Sequence, residues 1–146
     1  MKQLFGLGKR EIGELLRKKG INPTTQRVEV AYLFMQKPQH LSAEEVFHKI
    51  NKEYEQVSQA TIYNTLRLFV EKGVLRELVF SSDRIIYDSN IGPHHHFIDI
   101  ESGKIYDIPA DALSFSNVAI SGIEADIEEI SLLIRGKVRR QKAVHA

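Results

Sequence analysis

The sequence predicts an α+β protein, helical in its first half and stranded in its second, in which the helices close on a β-hairpin. Three observations carry that expectation. Apolar residues recur at helical spacing in four stretches before residue 74. From residue 75 the chain changes to short runs of strand formers separated by Ser, Asp and Gly. The 146 residues, 42% of them apolar, suffice for one sizeable domain or two small ones.

The elements follow in order. Lys9 to Lys19 places Ile12, Leu15 and Leu16 on one face, and Gly20 stands where a helix C-terminus needs a residue with positive φ. Asn22-Pro23-Thr24-Thr25 offers caps for a second helix, with Val28, Ala31, Tyr32 and Met35 at helical spacing up to a stop at Pro38. Leu41-Ser42-Ala43-Glu44-Glu45-Val46 starts a third: Ser42 and Glu45 have the spacing of a capping box, and Leu41 can pack on Val46. His40 is expected in the loop at the mouth of that helix. The fourth runs from near Ser58 to Gly73. Ile62, Leu66, Phe69 and Val70 form its buried stripe, and Ala60, Asn64, Arg67 and Glu71 face outward with Tyr63 at the border. Leu68 fits that polar face badly. Leu75 to Phe80 and Arg84 to Tyr87, joined by Ser81-Ser82-Asp83, then form a hairpin. Helices followed by a hairpin make a winged helix-turn-helix. Its fourth helix would enter the DNA major groove with Tyr63, Asn64 and Arg67 near bases and phosphates. Arg17, Lys18 and Lys19 are the expected phosphate contacts.

Composition narrows the classes. No apolar run approaches the ~20 residues of a membrane span, and the first residues lack a secretory pattern, so a cytoplasmic protein is expected. With no cysteine there is no thiolate ligand, no four-cysteine structural zinc and no thiol switch, and a metal must bind through N and O donors. Net charge is only +1, but residues 1–84 carry 14 Lys/Arg against 10 Asp/Glu, residues 85–134 one against nine, and Arg135 to Lys142 five with no acid. A basic half facing a polyanion and an acidic half facing cations fits that asymmetry.

The stretch Asp88 to Asp107, DSNIGPHHHFIDIESGKIYD, carries the chemistry. His94 to Ile100 and Lys104 to Ile108 read as two strands, and a two-residue Ser102-Gly103 turn would pair Glu101 with Lys104 and Ile98 with Asp107. Period-two alternation puts His94, His96 and Asp107 on one face and His95, Phe97 and Asp99 on the other. Two imidazoles and a carboxylate suit Fe²⁺, Mn²⁺ or Zn²⁺. Asp88 and His40 are candidates for the remaining positions, and the spacing leaves open whether His95 has a ligand role. A solvated histidine loop is the bland alternative. A non-haem iron enzyme is a further one, disfavoured by the helical first half and the lack of an evident cosubstrate arginine in a β-rich barrel.

The segments TTQR (Thr24 to Arg27), PQHLSAEEVF (Pro38 to Phe47), SQATIYNTLRLFVEKG (Ser58 to Gly73), YDSN (Tyr87 to Asn90), HHHF and GKIYD resemble the ferric uptake regulator superfamily. The resemblance implies a winged-helix DNA-binding domain over residues 1–86, a hinge at 87–93, and a small α/β dimerisation and metal-sensing domain over 94–146. It implies His40, Asp88, His94, His96 and Asp107 as ligands of one divalent metal, a homodimer, and a palindromic double-stranded DNA operator. The implied function is a metal-dependent repressor. Aspartate at 107 resembles the peroxide-sensing branch, in which bound Fe²⁺ leads to oxidation of a ligand histidine; His40 and His94 match those positions. The HHH run and IYDIP also resemble the iron response regulator branch, where haem is the associated ligand. Asp99 and Ser102 stand where many relatives carry a zinc-binding cysteine pair, so dimerisation is expected to rest on apolar packing of a strand around Ile127, Ile130, Leu132 and Ile134. The long helix usual between the strands is weak here, since Ala110 to Ser121 is serine-rich.

Overall fold

A computed structural model describes residues 5–53, 57–115 and 118–140. The chain divides into two compact units, Met1–Gly92 and Pro93–Ala146.

The first unit orders its elements as α1 (Lys9–Lys18), α2 (Thr25–Phe34), β1 (His40–Leu41), α3 (Ala43–Glu53), α4 (Gln59–Glu71), β2 (Arg76–Ser81) and β3 (Arg84–Asp88). The expected starts are where local chemistry puts them. The Thr24 side chain accepts from the Arg27 amide at 3.3 Å to cap α2. Ser42 and Glu45 cap each other's backbone N–H at 2.8 and 3.1 Å, a complete capping box. Ser58 caps α4 through the Thr61 amide. Both α1 and α4 end on a glycine with positive φ, Gly20 at 75° and Gly73 at 71°. The next amide then folds back, Ile21 to the Leu16 carbonyl and Val74 to that of Phe69, each at 2.8 Å. Ile21 and Val74 are themselves buried, which seals each helix end onto the core.

Ile12, Leu16, Phe34, Val46, Ile62, Leu66 and Phe69 are 0% exposed and form one cluster. At roughly 1.5–3 kcal/mol for each large side chain removed from water, this cluster is the main stabilising element of the unit. Leu68, which fits no polar face, packs partly buried against the same cluster. Two helix expectations need correction. The stripe of α2 centres on Val30, Ala31 and Phe34, with Val28 and Tyr32 only partly buried, because other elements cover this helix on more than one side. The helix also ends at Phe34, before Pro38 would force it to.

The β2–β3 hairpin pairs antiparallel, with a register irregularity between Val79 and Ser81 near its tip. His40 is not in a loop: with Leu41 it forms β1, which adds to β3 so that the sheet order is β1-β3-β2. Two residues carry too little pattern to announce a strand, and β1 exists only because β3 offers it a free edge.

The second unit is a three-stranded sheet of order β5-β4-β6, built from β4 (His94–Asp99), β5 (Ile105–Pro109) and β6 (Leu133–Gly136). β5 runs antiparallel and β6 parallel to β4. The β4–β5 turn differs from the expected two-residue one. Asp99 pairs with Lys104 across a four-residue loop, and the observed register sets His96 opposite Asp107 and Ile98 opposite Ile105. A two-residue turn of the hairpin type would need positive φ at Ser102, whereas here only Gly103 has it, at 73°. The slip is two residues, an even number, so the faces expected from alternation are unchanged.

The strand expected around Ile127, Ile130, Leu132 and Ile134 is confined to Leu133–Gly136, and residues 123–132 form no regular element. Between Ala110 and Ser121 the regular structure among the described residues is a 3-10 turn at Ala110–Ala112; residues 116 and 117 lie outside them, as do the last members of the basic run, 141 and 142. Among the described residues no helix is long and apolar enough to cross a membrane.

Candidate metal centre and nucleic-acid face

In the first unit, β1 and β3 set His40 and Asp88 directly opposite each other. His40 Nε2 lies 3.5 Å from Asp88 Oδ2, and Asp88 is fully buried. The other oxygen, Oδ1, accepts the Asn90 amide at 2.8 Å, and the Asn90 side-chain oxygen in turn accepts the Gly92 amide at 3.1 Å. This chain of turns fixes the carboxylate so that Oδ2 points at the imidazole. Ser89, also buried, grips the residue before His40: its hydroxyl accepts from the Gln39 amide at 2.9 Å and its own N–H donates to the Gln39 carbonyl at 3.2 Å. Sequence reasoning missed Ser89 and Asn90. Their signal was present in the Asp-Ser-Asn run, since each of these side chains readily binds nearby backbone.

In the second unit, His94 and His96 project from one face of β4 with ring centroids 4.4 Å apart. Nε2 of each lies 3.5 Å from the same atom, Oδ1 of Asp107 on β5. Both histidines are buried, and the ligand atoms that the three residues offer lie within 4.8 Å of one another. These separations exceed the 2.7–3.2 Å of a good N–H···O bond. They match the roughly 3–3.5 Å expected between donors that each sit ~2.1 Å from one ion. The donor set, imidazole nitrogen and carboxylate oxygen without sulfur, fits Zn²⁺, Fe²⁺ or Mn²⁺.

His95 takes the opposite face, as alternation requires, and is buried there. Its Nδ1 accepts the Leu132 amide at 3.2 Å, and its ring meets Phe115 edge-on at 6.0 Å. Asp99 closes the β4–β5 loop by accepting from the Ser102 hydroxyl at 2.7 Å and the Glu101 amide at 3.2 Å. Those donors, the hydroxyl first, hold its carboxyl below the ordinary carboxylate value.

Of the expected DNA contacts, Tyr63, Asn64 and Arg67 share the exposed face of α4, Tyr63 with half its surface in solvent. The Arg67 guanidinium reaches the Asn64 side-chain oxygen at 3.5 Å, one turn away. Arg17 and Lys18 are exposed in the last turn of α1, while Lys19 is its partly buried C-cap. The wing, the start of α3 and Tyr63 border a cleft of about 160 Å³ that also takes in Tyr87. Burial, then the charge of Glu77 and the nearby Tyr63, push the Tyr87 phenol up.

Residues 18–134 match the Ferric uptake regulator family. Over 92 residues the chain is 34% identical to the peroxide-responsive repressor PerR of Staphylococcus epidermidis, a stretch covering 63% of this chain and 61% of that protein. The ferric uptake regulator of Helicobacter pylori is similar with a TM-score of 0.68 at 23% identity, over 95% of this chain and 97% of that one. The peroxide stress regulator of Campylobacter jejuni gives 0.62 at 19% identity, over 91% and 97%. At such identities these two structures establish likeness of fold alone.

Proposed function

The chain belongs to the ferric uptake regulator family, and from that premise we propose that it is a metal-dependent DNA-binding repressor acting as a homodimer. Residues 1–86 bind a palindromic operator, 87–93 act as a hinge, and 94–146 dimerise and sense the metal. One divalent ion per subunit, Fe²⁺ or Mn²⁺ in the cell and Zn²⁺ as an alternative occupant, is held by His40, Asp88, His94, His96 and Asp107. The observation that carries this reading is the convergence of His94 and His96 on a single Asp107 oxygen, alongside the separately prepared His40–Asp88 pair.

The regulatory logic follows from where the donors lie in the chain. Two come from the first unit and three from the second, so occupation of all five favours one relative orientation of the units. A dimer whose two recognition helices are spaced by about one helical turn of DNA or a multiple of it then fits an operator. Tyr63, Asn64 and Arg67 read bases and phosphates from α4, and Arg17, Lys18 and Lys19 add phosphate contacts.

The signal in this proposal is peroxide, supported by the 34% identity to a peroxide-responsive repressor. Fe²⁺ held by these residues would supply the redox chemistry by which peroxide oxidises His40 or His94, one peroxide oxygen being inserted into an imidazole C–H bond and the other leaving as water. No thiol is available to compete, as the chain has no cysteine. Loss of a ligand imidazole weakens the hold on the ion and releases DNA. The deciding experiment combines operator binding with mass spectrometry of the His40 and His94 peptides after peroxide treatment of the Fe²⁺-loaded protein. Unmodified histidines with retained DNA binding would remove peroxide sensing and leave a haem- or iron-responsive repressor.

A further inference from the structure

His95 lies between two proposed ligands yet faces away from them, and its contacts assign it a different task. Leu132, the residue just before β6, is held twice by adjacent residues of β4: its N–H donates to His95 Nδ1 at 3.2 Å, and its carbonyl accepts from the His96 backbone N–H at 2.9 Å. The parallel pairing of β4 and β6 begins at the next residue, His96 with Leu133. Residues 123–132 have no regular structure, so this double grip is where the incoming chain acquires its register.

We infer that His95 is a positioning residue, whose unprotonated Nδ1 clamps the Leu132 amide, sets the register of β6 against β4, and so steadies the strand that carries His94 and His96. Three features support it. The side chain is 4% exposed, and a buried polar ring is retained where it has a partner. The accepting nitrogen faces a backbone donor that no ladder bond of the short β6 strand satisfies. The Phe115 ring, edge-on to His95, limits the imidazole's freedom to turn away. Parallel pairing is slightly weaker per residue than antiparallel, and β6 is only four residues long. One side-chain clamp at its entry therefore has a large share in holding it. An unclamped β6 leaves one edge of β4 without its neighbour, and the backbone under His94 and His96 gains freedom.

The consequence for metal affinity rests on the five-ligand reading above; the clamp itself does not. The test uses the full chain and the variants His95→Asn, His95→Leu and His96→Ala. Asparagine places its side-chain oxygen where Nδ1 stands, and leucine has a similar shape without an acceptor. Hydrogen exchange of the Leu132 amide, read by NMR without metal, should accelerate about tenfold in His95→Leu, as expected for loss of one hydrogen bond, and return close to the parent rate in His95→Asn. Mn²⁺ affinity should weaken in the same order. Equal protection in the parent, His95→Leu and His95→Asn, or an asparagine variant as fast as leucine, overturns the clamp. Restored exchange with Mn²⁺ affinity identical throughout overturns its link to the ligand strand. If His95→Leu does not fold, the ¹⁵N spectrum of the parent still decides: an unprotonated His95 Nδ1 coupled to the Leu132 amide supports the clamp, and a protonated Nδ1 overturns it. Mn²⁺ binding undiminished in His96→Ala marks failure of the metal reading instead, and leaves the exchange result standing.

Discussion

Asp107 has the most to lose by substitution, since two imidazoles point at one of its oxygens. Asp107→Ala and His96→Ala should each lower metal content and metal-dependent DNA affinity together, checked by elemental analysis and operator titration. Unchanged stoichiometry in both would defeat the site. Asp107→Glu should keep metal-dependent DNA binding but blunt histidine oxidation, because the longer carboxylate reshapes the coordination. Asp99 acts through the loop. Its carboxyl sits below its ordinary value in the folded chain, so its stabilising effect is present above the unfolded value of about 3.9 and is lost as pH falls through the lower folded value. Asp99→Ala should therefore lower Tm at neutral pH and flatten the decline of Tm in acid. An acid profile parallel to the parent's would show that the Ser102 and Glu101 contacts do not hold the turn.

At the level of elements, α4 separates its tasks by face. Ile62, Leu66 and Phe69 are fully buried, and Phe69→Ala should cost roughly 3–5 kcal/mol of stability through the cavity it leaves. Tyr63 and Arg67 lie off that stripe, so alanine at either should abolish specific operator binding while leaving the thermal transition and metal content unchanged. Equal losses on operator and random DNA after Tyr63→Ala would count against base reading by this helix. Alanine at Arg17 or Lys18 should weaken binding to all sequences and reduce the salt slope by about one for each phosphate contact removed. The capping box makes a separate, purely structural prediction. Ser42→Ala should destabilise the chain by about 1 kcal/mol in chemical denaturation, with the exposed face of α4 unaltered.

For the molecule as a whole, the contrast in burial between the units is informative. The first unit closes over a continuous apolar cluster, whereas Ile98 is the buried hydrophobic residue of the second among those described. Ile100, Phe115, Val118, Ile120, Ile123, Ile127 and Leu133 are exposed there. Val118, Ile120, Ile123 and Ile127 line one open surface pocket, and an exposed apolar patch of this kind supports the homodimer of the proposed function. Ile123→Asp with Ile127→Asp should shift sedimentation toward monomer and weaken binding to a two-half-site operator far more than to a single half-site. A dimer unaffected by both changes would place the interface elsewhere. Peroxide should release the Fe²⁺-loaded protein from DNA and leave the Zn²⁺- or Mn²⁺-loaded protein bound, as followed by fluorescence anisotropy.

The sequence by itself determined what depends on near neighbours. The helix caps at Thr24, Ser42 and Ser58 and the glycine stops at 20 and 73 involve residues within five positions of one another, so their chemistry is legible in the string. The shared face of His94, His96 and Asp107 was legible too, because alternation survives any even slip of register. The register that sets His96 opposite Asp107 belongs with the local features: Asp99 folds its carboxylate back on Ser102 and Glu101 and lengthens the loop, contacts two and three residues apart that sequence reasoning overlooked. Tertiary structure decided what depends on distant partners. It made a strand of His40–Leu41, because the edge it joins arrives more than forty residues later in β3. It gave His95 to Leu132, a partner 37 residues away, and cut β6 to four residues at that grip. The physical reason is common to the His40 strand and the Leu132 grip: backbone donors and acceptors must be satisfied by whatever element arrives beside them, and no local pattern records which one that will be.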